Sequence, residues 1–263
     1  MAEACITVKD LTMTYGDFVI QRDLNFTINR GDVFVVMGGN GCGKTTLLRH
    51  MIGLKAPAQG DVYYGDQGLW QSDPKTRERI LSRTGVLFQS GALLSSMTLA
   101  ENVALPITEA TELPAKKVRE IVSYKLALVG LAGFEDYYPS ELSGGMQKRA
   151  GLARAMAMDP EILFFDEPSA GLDPITAKLL DDLILSLSNA LSATIVVVTH
   201  DLDSIFAIGN NSVFLDAETH TMIAGGPPRQ LLEQSADPSI VRFLTRGEQD
   251  GRHGAKHLIG SDR

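Results

Sequence analysis

Four glycines, a lysine and a threonine occur within residues 38–45, which read GGNGCGKT. Glycine allows backbone conformations that a Cβ would obstruct, so that successive N–H groups can point at one anion. A lysine ammonium suits the β- and γ-phosphates of a nucleotide, and a threonine hydroxyl suits Mg²⁺. The spacing G-x-x-x-x-G-K-[ST] therefore indicates a P-loop, which binds a nucleotide phosphate chain.

The residues on either side of this loop predict the elements that position it. Residues 33–37 are apolar and mostly β-branched, which predicts a buried strand, and residues 46–52 carry apolar side chains at helical spacing. A P-loop needs this context, because the loop N–H groups and the helix N-terminus must address the same phosphates. The order of strand, loop and helix disfavours the alternative interpretation, in which residues 38–45 form a glycine-rich turn with a solvated lysine. The residues expected to contact the nucleotide are Gly38, Gly39, Asn40, Gly41, Cys42, Gly43, Lys44, Thr45 and Thr46.

Two later apolar runs also end in polar residues. The run ILFF ends in Asp166 and Glu167, and the run ATIVVVT ends in His200, 33 residues beyond Glu167 (200 − 167). Continuous apolar runs are typical of parallel strands buried on both faces. An aspartate at such a strand end can hold Mg²⁺. A capped strand end and a structural histidine are the alternative interpretations.

A second candidate anion site lies in residues 142–147, which read LSGGMQ. The Ser143 hydroxyl, the amides of Gly144 and Gly145 and the N-terminus of the helix predicted after them would bind an anion. The chain has one P-loop and one LSGGM segment. Since the second site has no phosphate partner of its own, we expect two copies to meet head to tail, each completing the nucleotide site of the other.

Taken together, the P-loop, LSGGMQ, the strand ending in Asp166-Glu167 and His200 resemble the ATP-binding-cassette (ABC) family over about residues 5–226. The resemblance implies an α/β fold, with a P-loop NTPase (RecA-like) core, an antiparallel β subdomain and an α-helical subdomain. It implies a nucleotide-binding domain over residues 1–226, with the helical subdomain at about 90–158. A C-terminal helix and flexible tail would fill residues 227–263. ATP and Mg²⁺ are the implied cofactors.

The resemblance also assigns roles to individual residues. Glu167 resembles the catalytic base that polarises the attacking water, His200 the switch histidine that contacts the γ-phosphate, and Gln89 the glutamine that senses Mg²⁺ and water. Tyr15 resembles the aromatic residue that stacks on adenine, although an exposed tyrosine near a turn is common. The implied Mg²⁺ ligands are Thr45, Gln89 and Asp166. The residues that would reach the nucleotide of the other copy are Ser143, Gly144, Gly145, Gln147 and Asp173. At Gly39 and Cys42 the family frequently carries Pro and Ser or Ile, and neither difference removes a phosphate ligand.

The remaining elements follow from periodicity and turn residues. Residues 5–37 predict strands separated by turns at 16–17 and 29–32, and hence a small antiparallel sheet. A short strand, VYY, is predicted after this sheet. An amphipathic helix is predicted over residues 113–131. A further helix is predicted over 175–191, with an inward face formed by Leu179, Leu180, Leu183, Ile184 and Leu187. The predicted C-terminal elements are the strands SVFLD and TMIAGG, a helix at 229–234, a helix starting near Pro238 and a tail of little order at 247–263.

The bulk properties limit the function classes. The 263 residues are 44% hydrophobic with a net charge of −8, which argues against a general nucleic-acid binder. The two cysteines lack the spacing of metal ligands. No apolar run approaches the roughly 20 residues that cross a bilayer, and the N-terminus lacks a signal peptide. We therefore expect a cytoplasmic chain that reaches any membrane through a partner.

Residues 88–106, FQSGALLSSMTLAENVALP, resemble the ATPases of Mce-type lipid transporters, including the Mla (maintenance of lipid asymmetry) system. The segments EPSAGLDPIT and ADPSIVRFLTRGEQDG resemble the same subfamily. The resemblance implies phospholipid transport for outer-membrane lipid asymmetry, at the cytoplasmic face of the inner (plasma) membrane. The implied partners are an integral-membrane permease (MlaE-like), a second copy of the chain, a STAS-domain protein (MlaB-like) and a Mce-domain protein (MlaD-like), with no nucleic acid.

Three apolar residues of that segment, Leu93, Leu94 and Met97, are candidate anchors for a coupling helix of the permease. The alternative is that they pack inside the helical subdomain. The ATPase of another importer or exporter, for amino acids, metals or lipoproteins, stays open as an alternative function. A soluble cassette of the DNA-repair type is less favoured, because 99 residues (143 − 44) separate Lys44 from Ser143 and leave no room for a long coiled-coil insertion.

Overall fold

The structure, a computed structural model, describes residues 3–247. The tail predicted for residues 247–263 lies, apart from Gly247, outside the described residues. The strands are β1 Ala4–Tyr15, β2 Phe18–Asn29, β3 Val33–Gly38, β4 Gln59–Tyr64, β5 Gln67–Gly68, β6 Thr84–Leu87, β7 Ile162–Asp166, β8 Thr194–Val198, β9 Asn211–Asp216 and β10 Thr221–Gly225. The α-helices are α1 Lys44–Met51, α2 Pro74–Leu81, α3 Leu99–Ala110, α4 Ala115–Leu128, α5 Gly144–Ala155, α6 Pro174–Leu191, α7 Leu202–Ile208, α8 Pro228–Gln234 and α9 Pro238–Leu244.

The central layer is a six-stranded sheet with the order β10-β9-β3-β8-β7-β6. Strands β9, β3, β8, β7 and β6 pair in parallel, and β10 is antiparallel to β9. Every residue of β3, β7 and β8 is buried, because protein covers both faces of the sheet. This arrangement confirms the buried parallel strands predicted from the continuous apolar runs and the α/β fold with a P-loop NTPase core that the family resemblance implied.

The predicted antiparallel sheet is present and has the order β2-β1-β4-β5. Its inner face shares one hydrophobic core with α1 and with one face of the six-stranded sheet. Within that core the rings of Phe26 and Phe34 stack with their centroids 5.5 Å apart. The antiparallel sheet therefore lies over the same face of the central sheet as α1 and brings the end of β1 close to that helix.

Helices α3, α4, α5 and α6 cover the opposite face and share a second core with it. Helix α4 buries Val118, Val122 and Leu126 and spans Ala115–Leu128, which confirms an amphipathic helix within the predicted range 113–131. Helices α3 to α5 fall inside the range 90–158 expected for a helical subdomain, whose boundaries stay a prediction.

The buried face of α6 differs from the inward face predicted for this helix. Leu179 is 63% exposed, and Ile175, one turn earlier, is 76% exposed. The buried side of the helix is formed by Leu180, Ile184 and Leu187. The prediction that Leu179 faces inward is therefore wrong, because a helix rotates by about 100° per residue and adjacent leucines point in different directions.

The two C-terminal helices complete the described part of the chain. Ile240 and Leu244 of α9 are buried in a third core beside Val35 and Met37 of β3. This packing confirms the short helix predicted to start near Pro238. No helix among residues 3–247 is long and apolar enough to cross a membrane.

Candidate functional site

The residues predicted to bind the phosphates and to act in hydrolysis lie together at one edge of the central sheet. Strands β3, β8 and β7 are neighbours and run in parallel, so their carboxyl ends meet at the same edge. Val198, which precedes Thr199 and His200, pairs with Val36 on one side and Asp166 on the other. The P-loop, the two carboxylates and the histidine come from three separate parts of the sequence, and the strand order brings them together.

The P-loop glycines serve two different purposes. Gly38 has a φ of 147°, and a Cβ at this position would lie 2.3 Å from the carbonyl oxygen of Leu215, so only glycine fits. A Cβ on Gly39 or Gly41 would meet nothing within 4 Å. These two residues line open space of the kind that a phosphate chain fills. Burial raises the pKa of the Cys42 thiol, which fits a small packing residue under the loop.

Lys44 and the N-terminus of α1 supply the positive end of the site. Gly43 precedes α1 without a side-chain cap, which leaves the first N–H groups of the helix suited to an anion. The Lys44 ammonium donates to the carbonyl oxygens of Gly38 and Gly39 at 2.9 and 3.1 Å. The lysine side chain therefore lies along the loop whose open side is lined by Gly39 and Gly41.

Thr45 and Asp166 form the pair expected for Mg²⁺. The Thr45 hydroxyl donates to Oδ1 of Asp166 at 3.0 Å. Burial raises the pKa of Asp166, while this hydrogen bond opposes the rise. A hydroxyl and a carboxylate oxygen on adjacent elements are ligands that Mg²⁺ accepts. The donor set therefore fits the ion.

Glu167 and His200 form a second pair next to the first. Nδ1 of His200 lies 2.8 Å from Oε1 of Glu167, and the Glu167 side chain is 12% exposed against 54% for His200. The backbone of Glu167 has a φ of 47°, which is uncommon for a residue with a side chain. Its N–H donates to the carbonyl oxygen of Val198 at 2.8 Å. A mostly buried carboxylate is thus directed at an exposed imidazole, an arrangement suited to accepting a proton from water.

Tyr15 lies at the end of β1, beside α1. Its ring is 51% exposed, the Lys55 ammonium lies 3.1 Å from the ring centroid, and Arg49 donates to its hydroxyl at 3.4 Å. Gln89 is exposed and follows β6 closely, near the carboxyl edge of the sheet. Tyr15 thus lies beside α1 and Gln89 lies after β6, while their roles toward adenine and Mg²⁺ stay predictions.

The LSGGM segment begins a helix, as predicted. Ser143 caps α5, and its hydroxyl accepts a hydrogen bond from the Met146 N–H at 3.3 Å. The amide of Gln147 donates to the carbonyl oxygens of Pro139 and Leu142, at 2.9 and 3.2 Å. Within the described residues, this amide is therefore used to hold its own loop.

Gly145 packs against Thr176 of α6, the helix that Asp173 caps. Gly145 is buried, and a Cβ there would lie 2.5 Å from Cγ2 of Thr176. Asp173 caps α6 by accepting from the N–H groups of Ile175 and Thr176 at 3.1 Å, and these bonds together with the Thr176 hydroxyl lower the pKa of Asp173. A Cβ on Gly144, by contrast, would have no neighbour closer than 3.8 Å, so this glycine faces open space.

Sequence reasoning missed Lys148. This lysine of α5 is 6% exposed and donates to the carbonyl oxygens of Gln89 and Glu167. Burial lowers the pKa of Lys148, and the negative charges of Asp166 and Glu167 oppose the fall. The signal in the sequence is its position four residues before Leu152, on the inner face of the predicted helix.

The fold and this edge of the sheet define a P-loop nucleotide hydrolase. The family model described as "ABC transporter" matches residues 21–170. A model described as "AAA domain, putative AbiEii toxin, Type IV TA system" matches the shorter range 135–206.

Curated relatives match almost the whole chain. The intermembrane phospholipid transport system ATP-binding protein MlaF of Haemophilus influenzae is 42% identical over 95% of this chain and 94% of its own length. MlaF of Escherichia coli K12 is 39% identical over 94% of this chain and 90% of its own length. The probable ribonucleotide transport ATP-binding protein mkl of Mycobacterium bovis is 40% identical over 91% of this chain, which spans 66% of that protein.

Solved structures share the fold. The ATP-binding cassette MJ0796, in a dimeric post-hydrolysis state bound to ADP and Pi, has a TM-score of 0.75 at 28% identity and covers 84% of this chain and 98% of its own. The cbiO1 protein of Clostridium perfringens, part of the cbiONQ transporter complex, has a TM-score of 0.80 at 26% identity and covers 98% of this chain and 99% of its own. The chain belongs to the ABC transporter family and is an ATP-binding, ATP-hydrolysing subunit of such a transporter.

Proposed function

We propose that this chain hydrolyses ATP as one half of a symmetric dimer and thereby drives a membrane permease that moves phospholipid, as in Mla/Mce-type systems. The observation that carries the ATPase chemistry is the placement of the Thr45–Asp166 pair and the Glu167–His200 pair at one sheet edge. The observation that favours phospholipid is the 42% identity to a phospholipid transport ATPase over 95% of the chain.

The proposed mechanism follows from the contacts of these residues. Lys44 and the N–H groups of the P-loop and of α1 bind and orient the phosphates, and Tyr15 offers its exposed ring to the adenine. Glu167 accepts a proton from the attacking water, and His200 holds that carboxylate in place. Thr45, Asp166 and Gln89 would hold Mg²⁺, which neutralises charge on the β- and γ-phosphates when bound.

The second copy completes the site. Ser143, Gly144 and Gly145 form the N-terminus of α5, which suits an anion, and this chain has its own phosphate site elsewhere, in the P-loop. The dimeric state of MJ0796 supports pairing of two such chains. In this proposal Gln147 and Asp173 also face the nucleotide of the partner copy, alongside the three residues of the α5 N-terminus.

Mixed dimers test the head-to-tail arrangement. Lys44→Ala on one subunit and Ser143→Arg on the other place both lesions in one composite site and spare the second site. Both lesions on one subunit damage both sites. We expect ATP trapping by the first dimer to exceed trapping by the second, measured with radiolabelled nucleotide. Equal trapping would contradict a site shared between two copies.

A groove beside α3 is the proposed docking site for the permease. Its volume is about 410 Å³, and Leu105, Pro106 and Met158 contribute to its lining. Met158 is 39% exposed and Leu94, in the preceding loop, is 42% exposed. Both are available to an apolar helix end of the permease. Leu93 instead packs against the core of the helical region, which matches the alternative interpretation of that residue, and Met97 is half-buried.

Charge substitution at Met158 in the groove lining and at Leu94 in the loop before α3 tests the docking proposal. Met158→Glu and Leu94→Glu should release the chain from the permease during purification, because a central apolar anchor is worth about 2 kcal/mol or more. ATP binding by the free chain should not change. Leu113→Glu, at an exposed leucine outside the groove lining, is the matched control. Full retention of the permease by both variants would exclude docking at this groove and at the loop before α3.

The cargo is tested with the complex reconstituted in vesicles. We expect ATP-dependent transfer of a fluorescent phospholipid, abolished by Glu167→Gln. The name of the mycobacterial relative supports a second candidate cargo, a ribonucleotide, so uptake of labelled ribonucleotide is the second arm. Uptake without lipid transfer would exclude the phospholipid proposal and leave the ATPase intact. The same proposal includes two further partners, a STAS-domain protein (MlaB-like) and a Mce-domain protein (MlaD-like). It also places the chain on the cytoplasmic face of the inner membrane. Identification of the proteins that co-purify with the chain tests these points.

A further inference from the structure

Lys148 is a buried cation held by backbone. It lies in α5, is 6% exposed, and forms no ion pair within residues 3–247. Its ammonium donates to the carbonyl oxygen of Gln89 and, at 3.3 Å, to that of Glu167. A buried charge needs compensation, and here two carbonyl dipoles provide it. The lysine therefore constrains the course of two backbone segments.

The two carbonyls belong to residues of the ATPase site. Glu167 adopts a φ of 47°, which requires support from its surroundings. Its N–H is held by Val198 and its C=O by Lys148. With the peptide groups on both sides of Glu167 held, the carboxylate can maintain its 2.8 Å contact with His200.

We propose that Lys148 is a positioning residue for ATP hydrolysis, which ties the backbone of Gln89 and Glu167 to the helix that begins after Ser143. This inference rests on the proposed roles of Glu167 and of the α5 N-terminus. Because α5 carries both Ser143 and Lys148, a displacement of the helix by the partner's nucleotide would reach Glu167 through the Lys148 side chain.

A second cation of the same helix shows how specific this contact is. Arg154 donates to the carbonyl oxygens of Gly91 and Ala92 at 3.1 and 2.7 Å. It therefore holds the segment after Gln89 and does not contact Glu167. Of these two cations, Lys148 alone connects α5 to the strand end that carries the catalytic carboxylate.

The test is Lys148→Met in the full chain, assayed within its transporter complex. We expect kcat to fall about 100-fold, as for a displacement of about 1 Å at a catalytic group. KM for ATP should change little, because the phosphate contacts are retained. In a Glu167→Gln background, Lys148→Met should lower kcat much less than in the wild type, because the carboxylate that it positions has already been removed and only its contact with the Gln89 backbone remains.

Lys125→Met is the matched control. Lys125 is 1% exposed and paired with Asp159 in the helical region, so its removal also costs stability and touches none of the site residues. We expect this variant to retain kcat. If Lys148→Met does not fold, Lys148→Gln retains a donor in a shorter side chain, and we expect it to fold with a reduced kcat and an unchanged KM.

Three results would overturn the proposal. They are an unchanged kcat in a folded Lys148 variant, an equal loss in the Lys125 variant, or a further loss in the Glu167→Gln background as large as the loss in the wild type. If the proposed function itself is wrong, the wild-type complex will not hydrolyse ATP, and Lys148→Met can then cause no loss of kcat. This result differs from the three above.

Discussion

The two edges of the central sheet carry charged residues that are held in different ways. At the amino edge, Glu161 precedes β7 and accepts from Arg83 and Arg30, and Arg30 also pairs with Glu3 at 3.4 Å. At the carboxyl edge, one β7 length away, Asp166 and Glu167 contact a hydroxyl and an imidazole. Both clusters flank the same buried strand.

The difference lies in what neutralises the carboxylates. The two guanidinium groups lower the pKa of Glu161, Arg83 first, so that charge is compensated within the chain. Asp166 has a raised pKa from burial and accepts a hydrogen bond from the neutral Thr45 hydroxyl. Asp166 forms no ion pair within residues 3–247, so its charge stays available to a bound cation. The comparison therefore separates a structural cluster from a ligand-binding one.

The largest effect that this comparison predicts is a fall in kcat on substitution at the carboxyl edge. Glu167→Gln should lower kcat by about 10²–10⁴-fold, as expected for loss of a general base, while ATP binding is retained. Glu161→Gln, the same substitution at the other edge, should leave kcat unchanged. Steady-state ATPase rates and equilibrium ATP binding of both variants measure this. Normal turnover in Glu167→Gln would contradict the assignment of the catalytic edge.

A small effect is expected on stability at the amino edge. The Glu161 side chain is 44% exposed, so solvent screens its ion pairs, and Glu161→Gln should cost less than about 1 kcal/mol at neutral pH. Because its pKa in the folded state is lowered from an ordinary value of 4.5, the stabilisation is present above that value. It is lost as the pH falls from 4.5 through the lower folded pKa.

Urea unfolding at neutral pH and below pH 4.5 checks this prediction. The difference between wild type and Glu161→Gln should shrink in acid, and added salt should reduce it at neutral pH. A difference that grows as the pH falls would mean that Glu161 is not stabilised by its arginine partners.

Much of the fold was predictable because it follows from local pattern. The buried runs of β3, β7 and β8 contain almost only apolar residues, so their type and their parallel pairing could be inferred. The P-loop could be located because its glycines are required by geometry, as at Gly38, where Leu215 leaves no room for a Cβ. The cap at Ser143 could be inferred because a serine before two glycines and an apolar helical run marks a helix start.

Other features depend on contacts between distant segments. Leu179 and Leu180 are adjacent apolar residues of α6, and the packing of the helix decides that Leu180 is the buried one. Leu93 packs on the core whereas Leu94 is exposed, and no local pattern separates the two. The sequence places Lys148 on the same helix face as Leu152, but only the structure shows that its partners are the carbonyl oxygens of Gln89 and Glu167.

The sequence by itself determined which residues can do the chemistry and which elements carry them, because residue type, spacing and periodicity are local properties of a chain. The P-loop, the carboxylates at the end of β7 and His200 after β8 could all be inferred in that way. Only the tertiary structure decided how these groups contact one another. The order β3-β8-β7 brings three strand ends to one edge, and α5 reaches back to hold Glu167. Such contacts join residues far apart in the chain, and they depend on how the buried faces of the sheet and helices pack together.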